Sequence, residues 1–274
     1  MSGVQPREDS GSRETVCEFL QWITTFPLVY ALLPDCRQAT YQRLFSNLKI
    51  HVQQLLNQPL NPDKFQVDLE MVVIRAVELE FPAAEVKGCF FHYMQAIWRK
   101  TQELGLAVMY REDPLVKGWV RRAAALPLLP LRQVQDAWLD TMNSSPDVPG
   151  CQTFNDYITT TWVDDDVRFP LPMWNHYDTF GPRTNNNIEG FHSRLNASLS
   201  HCHPNIFRFM EIIKKIEKAE NTKLCQLDLG GAPRSRKPVY REIDNRLHRL
   251  KDQLADGTKN HMQYLDAVGK LLKI

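Results

Sequence analysis

Hydrophobic and polar positions along the chain change period several times. Phe26 to Leu33 is a continuous apolar run closed by Pro34, which reads as a buried strand. Val16 to Thr25, just before it, mixes β-formers with Glu18 and Gln21 and reads as a poor edge strand. Tyr41, Leu44, Phe45 and Leu48 then recur at helical spacing and predict a helix from about Asp35 to His51. Lys64 to Val67 is a short strand ending in Asp68. A helix follows with Leu69, Val72, Val73, Ala76 and Leu79 inward, stopped by Phe81-Pro82. Glu85 to Phe90 is the next strand, and Phe91, Met94 and Trp98 mark the inner face of the next helix. This alternation of strand and helix predicts an α/β sheet.

From Gly105 to Gly181 the pattern becomes helical and rich in proline. Leu106 to Tyr110, Val116 to Ala125 and Leu131 to Met142 read as helices, the last with Val134, Ala137 and Trp138 on one side. Trp119, Trp138, Trp162 and Trp174 are expected in a core rather than on a base-stacking surface. Further on, three Asn open a helix with Ile188, Phe191, Leu195 and Leu199 on its apolar face. Ile206 to Glu220 is a second helix, with Phe209, Ile212, Ile213 and Ile216 inward, broken by Gly230-Gly231. Arg234 to Lys251 is basic, either a solvated helix face or a phosphate-contacting arm, and Tyr264, Val268 and Leu271 suggest a last helix.

Composition narrows this picture only slightly. Hydrophobic residues make up 43% and charged residues 24% of 274, as in ordinary globular chains. No apolar run is long enough to span a bilayer, so no membrane partner is expected. A net charge of +1 does not announce a nucleic-acid binder, and any DNA contact would need a local patch. The six Cys lack a disulfide-framework spacing and are expected as thiols. Asp164-Asp165-Asp166 reads as a solvated loop.

Three stretches carry a resemblance. Arg183-Thr184-Asn185-Asn186-Asn187-Ile188-Glu189-Gly190-Phe191-His192 resembles the segment bearing the last acid of Mutator-like (MULE) transposases. Phe26 to Pro34 and Gly88 to Lys100 look like two further segments of that family, and the three stand in its order. The resemblance implies a ribonuclease-H-like α/β fold, a mostly helical insertion and C-terminal helices. It also implies an Asp-Asp-Glu triad holding Mg or Mn, DNA as partner, DNA transposition as activity and a nuclear location. On this reading Asp68 is the second acid and Glu189 the third, both catalytic and metal-binding. Two divalent ions need several carboxylates at one point.

The first acid is missing. Glu8, Asp9, Glu14 and Glu18 are the acids before Phe26, and none stands in an Asp-Gly-Thr-like strand. The fold is therefore expected to be incomplete, lacking its first strand and truncated at its N-terminal end. Its two remaining acids would hold one metal weakly, with little or no transposition. The alternative is a catalytically dead, transposon-derived scaffold that binds DNA or protein; an unrelated α/β enzyme sharing short motifs is the third reading. Cys89-x-x-His92 matches a Cys-x-x-His mark of the family and is expected to be a structural pair, since zinc would need two more ligands. Arg183, Arg234, Arg236 and Lys237 are the candidate nucleic-acid contacts. Homo-oligomerisation is left open.

The expected division is a disordered tail at 1–15 and a first part of the core at 16–104. A helical insertion follows at 105–182, then the helix with the last acid and its successor at 183–222, and a basic helical tail at 223–274.

Overall fold

The computed structural model describes residues 29–179, 183, 186–199, 205–232 and 237–272; the side chains of 186–189 and 192 lie outside that description. Two compact units are present. The larger comprises Ala31–Asn185 and Pro238–Ile274, the smaller Met1–Tyr30 and Asn186–Lys237.

The larger unit begins with helix α1 (Gln38–Leu56), strand β1 (Lys64–Val67), helix α2 (Met71–Glu80), strand β2 (Glu85–Gly88) and helix α3 (Phe90–Glu103). β1 and β2 are parallel, with Lys64 opposite Glu85 and Val67 opposite Gly88. Parallel pairing requires a crossover, and α2 provides it. Phe45 of α1, Phe65 of β1 and Phe81 beyond α2 form one aromatic cluster, with Phe65 and Phe81 centroids 4.9 Å apart. Lys49 reaches from α1 to the Glu80 carboxylate (2.9 Å) and to its carbonyl (2.7 Å).

Next come α4 (Ala107–Glu112), α5 (Pro114–Ala125), α6 (Val134–Asn143), α7 (Cys151–Ile158) and the short α8 (Leu171–Trp174). Asp113 caps α5 by accepting from Leu115 N at 2.7 Å, ahead of a proline at the first helical position. α7 runs into a π-helical turn at Thr159–Val163, whose closing bond is Asp164 N to Thr159 O at 3.0 Å. The unit is completed by α11 (Pro238–Ala255) and α12 (His261–Gly269). α12 packs on α5 and α6, and a fork of Arg122 onto Asp266 (2.6 and 3.0 Å) joins it to α5.

The core of this unit is aromatic. Tyr93 stacks on Trp174 at 5.0 Å and meets Trp162 edge-on at 4.8 Å; Trp162 in turn stacks on Phe169 at 5.1 Å. Three buried polar tips find partners: Trp119 Nε1 donates to Asn155 Oδ1, Trp138 Nε1 to Thr159 Oγ1, and Tyr264 OH to the Leu128 carbonyl. The four tryptophans are therefore core, as expected, and not a base-stacking surface.

The smaller unit holds α9 (Asn186–Ser198) packed on α10 (Ile206–Asp228). Ile212, Ile213 and Ile216 of α10 are buried, and so is Glu220, whose carboxylate pairs with Arg194 of α9 and with Lys223. Those two cations hold Glu220 below its ordinary value against the opposing effect of burial, which is the largest single influence.

Two expectations need correction. Residues 29–33 are irregular, with Val29 and Leu32 exposed, so no strand is seen in the described part of Phe26 to Leu33. Residues 26–28 and the proposed strand at Val16 to Thr25 lie outside the described residues. The inner faces of two helices are also displaced. Ile74, Ala76 and Val77 are buried in α2, whereas Val72 and Leu79 are exposed. In α3 the buried set is Phe90, Tyr93, Ile97 and Thr101, one position before Phe91, Met94 and Trp98. Overall the chain is mostly helical with a small two-stranded parallel sheet among the described residues, compatible with an α/β class. No helix among them is long and apolar enough to cross a membrane.

Because Trp138 fills the contact between α6 and the π-helical turn and is fully buried, Trp138→Ala is expected to destabilise the chain by about 3–5 kcal/mol. Urea unfolding checks this; a cost under about 1 kcal/mol would contradict the packing described.

Candidate functional site

The parallel pair ends at Val67 and Gly88, so the next residues, Asp68 and Cys89, emerge side by side at its carboxyl edge. Ligands of α/β sheets gather at such edges. The Cys89 amide donates to the Val67 carbonyl at 2.8 Å, and Cys89 is the N-cap of α3. A Cβ at Gly88 would lie 2.5 Å from Leu69 Cδ2, so a larger residue there would have to turn that leucine side chain aside.

Asp68 does not cap α2: that position belongs to Glu70, whose backbone amide bonds the Asp68 carbonyl at 2.7 Å. Its carboxylate instead lies 3.1 Å from Nδ1 of His92, in the first turn of α3. This is an ion-pair distance rather than an aligned hydrogen bond, since His92 Nδ1 has no hydrogen bond of good geometry. The positive end of the α3 dipole favours a carboxylate at that place. Asp68 is half-exposed and His92 partly covered, so the pair opens to solvent at the sheet edge. Cys89 is fully buried, which leaves His92 as the outward-facing member of the Cys89 and His92 pair.

His176 holds this edge from behind, and nothing in the sequence singled it out. It is 1% exposed, with Nε2 2.8 Å from the Gly88 carbonyl and Nδ1 3.2 Å from Thr179 Oγ1. A carbonyl only accepts, so Nε2 carries the proton and Nδ1 accepts from the threonine hydroxyl. Burial, helped by the positive charges of Lys87, Arg183 and Lys64, pushes its pKa down to about 4 against the opposing bond to Gly88. Neighbouring Asn175 donates to the Leu129 carbonyl at 2.8 Å, and Lys87 donates to the carbonyls of Pro172 (2.7 Å) and Asn175 (3.0 Å). β2 is thus fastened to the segment around α8 by side chain to backbone bonds.

Arg183 contributes its carbonyl to the Phe90 amide at 2.9 Å, satisfying an orphan donor at the start of α3. Its guanidinium is mostly covered and lies 3.6 Å from Asp244 of α11. Lys251 of α11 donates to the Tyr177 carbonyl and sits 4.6 Å above the Tyr177 ring. Burial first, and the Arg183 charge second, bring Lys251 down to about 8. Exposed on α11 are Arg241, Arg246 and Arg249. Lys237 is exposed, while Arg234 and Arg236 lie outside the described residues. Glu189 belongs to α9 of the smaller unit, and its side chain is outside the described set. Asp164, Asp165 and Asp166 are exposed.

Residues 15–96 match the family model of the MULE transposase domain. This chain carries that match over under a third of its length, and no curated protein or solved structure matches it. The MULE-matched segment contains Asp68, Cys89 and His92, together with the whole parallel pair; Arg183 to Leu195 lies beyond it. The MULE family implies dependence on a divalent metal in general. The described residues do not suit such an ion by themselves. No three His, Cys, Asp or Glu side chains among them could converge on one, and the Asp68 carboxylate faces a histidine. Mg²⁺ asks for several hard oxygen ligands.

His176 gives a pH prediction with a definite sign. Its folded pKa is depressed to about 4 from 6.5, so between those values the unfolded chain binds the extra proton. The contribution is complete above pH 6.5 and is lost as pH falls toward 4. Wild type should lose about 2 kcal/mol more than His176→Gln between pH 7 and pH 5 in urea unfolding. Identical pH profiles for the two proteins would contradict the buried neutral imidazole.

Proposed function

We propose that this chain is a MULE-type DNA transposase catalytic domain that cleaves and joins phosphodiesters little or not at all. The observation that carries the reading is the position of Asp68: it leaves a parallel strand at the carboxyl edge, beside the first turn of a helix, inside the MULE-matched segment. A ribonuclease-H-like sheet presents its acids at such an edge. In this reading Asp68 is the second acid and Glu189 the third, and the larger sheet of that fold is reduced to its β1–β2 part among the described residues. A nuclear location follows from action on chromosomal DNA.

The low activity follows from the donor set. Two-metal cleavage needs an ion at the attacking oxygen and another at the leaving one, each with several carboxylate oxygens. Asp68 has His92 against it, and the acids before Phe26 lack the context of a first catalytic strand. His92 can orient the Asp68 carboxylate but supplies no oxygen ligand. This same contact favours the second reading, in which the fold persists as a DNA- or protein-binding scaffold without catalysis. Exposed Arg241, Arg246 and Arg249 on α11, with Lys237 just before it, are the groups available for phosphate.

Supercoiled plasmid and linear duplex incubated with the full chain and Mg²⁺ or Mn²⁺ should show no nicking or joining above background. Robust cleavage abolished by Asp68→Asn would overturn the low-activity proposal. Duplex binding should weaken by at least about tenfold between 50 and 200 mM salt. Absence of duplex binding at 50 mM salt would leave protein docking in place of DNA as the retained role.

A further inference from the structure

Helix α10 presents a second, exposed face apart from the buried isoleucines that meet α9. Phe207, Met210, Lys214, Glu217, Asn221 and Leu224 follow one another at alternating spacings of three and four, which places them in one stripe along the helix. All six are exposed. Phe207 is 78% accessible, Met210 44% and Leu224 40%. Neither Lys214 nor Glu217 has an ion-pair partner among the described residues.

The order of residue types along the stripe is self-complementary in one orientation. Laid antiparallel against a second copy, with a two-fold axis between Lys214 and Glu217, the stripe places Phe207 against Leu224 of the second copy and Met210 against Asn221. Lys214 then meets Glu217, and by symmetry Glu217 meets Lys214. The parallel arrangement would set Lys214 on Lys214 and Glu217 on Glu217, which is repulsive. We infer that α10 is the contact of a homodimer in which two copies of this chain pair antiparallel through this stripe. The occupant is a second copy because the stripe carries both halves of its own charge match and ends in apolar groups on both sides.

The contact is short. From Phe207 to Leu224 the helix spans about 25 Å, less than a standard interface offers. The dimer is therefore weak, with a dissociation constant on the order of 10–100 μM. This inference stands on α10 alone and is independent of whether the chain acts on DNA.

Sedimentation of the full chain between about 1 and 200 μM tests it. Wild type should pass from monomer to dimer across that range. Lys214→Glu and Glu217→Lys, each alone, should raise the dissociation constant at least tenfold, since each creates two like-charge contacts. The double exchange should return it to within about threefold of wild type. Phe207→Asn, at a position that contributes nothing to the monomer core, should also weaken the dimer with helical circular dichroism unchanged. A chain monomeric at every concentration overturns the inference. So does a dimer indifferent to the single reversals, or a folded double variant as weak as either single one.

Discussion

Three backbone groups at the junction of β2 and α3 must find partners away from water, and the way they do so sets the site. The Val67 carbonyl takes the Cys89 amide, the Phe90 amide takes the Arg183 carbonyl, and the Gly88 carbonyl takes the imidazole of His176. A buried carbonyl without a partner costs on the order of 1–3 kcal/mol. His176 meets that need through Nε2–H, and its burial keeps the ring neutral, so that Nδ1 can accept from Thr179 at the same time. The junction is thereby locked from two separate parts of the chain, the segment after α8 and the residue before the Asn-rich helix.

Fixing the junction fixes the rotation of α3, and that rotation brings His92 to Asp68. The same helix turned by one residue would place Phe91 inward and carry His92 elsewhere. The Tyr93 hydroxyl, donating to the Ala123 carbonyl at 2.9 Å, holds the other side of the first turn. The carboxylate at the sheet edge is therefore positioned by a chain of contacts that reaches into the helical part of the fold. The proposed low cleavage activity rests on what is described around that carboxylate: His92 lies against it, and no group of three metal-ligating side chains converges among the described residues.

Much of this arrangement was legible in the sequence. The strand from Lys64 to Val67 was readable from four residues because Asp68 and a strongly helical segment bound it, and Asp68 does stand at its end. The faces of α6 and α10 were readable because polar residues separate their apolar ones: Val134, Ala137 and Trp138 are buried, as are Ile212, Ile213 and Ile216. α3 misled because Phe90, Phe91, Tyr93, Met94, Ile97 and Trp98 supply two overlapping stripes of equal hydrophobicity. Only the bonds of Cys89 and Tyr93 to distant carbonyls choose between them. The run from Val29 to Leu33 misled because an apolar stretch forms a strand only with a neighbour to pair with, and β1 and β2 pair with each other alone among the described strands. His176 left no signal, since its role depends on a carbonyl on another strand. The MULE-matched segment covers Asp68 and His92 but ends before Glu189, so the third acid rests on the motif alone.

If the Asp68 carboxylate is held against His92, and no three metal-ligating side chains converge among the described residues, tight binding of a pair of divalent ions is not expected. Titration of the full chain with Mn²⁺, followed by the loss of free-ion electron paramagnetic resonance signal, measures this directly. The account predicts at most one ion per chain, bound no tighter than about millimolar, in keeping with an incomplete set of oxygen ligands. Two Mn²⁺ bound stoichiometrically at micromolar concentration, and released by Asp68→Asn, would contradict it.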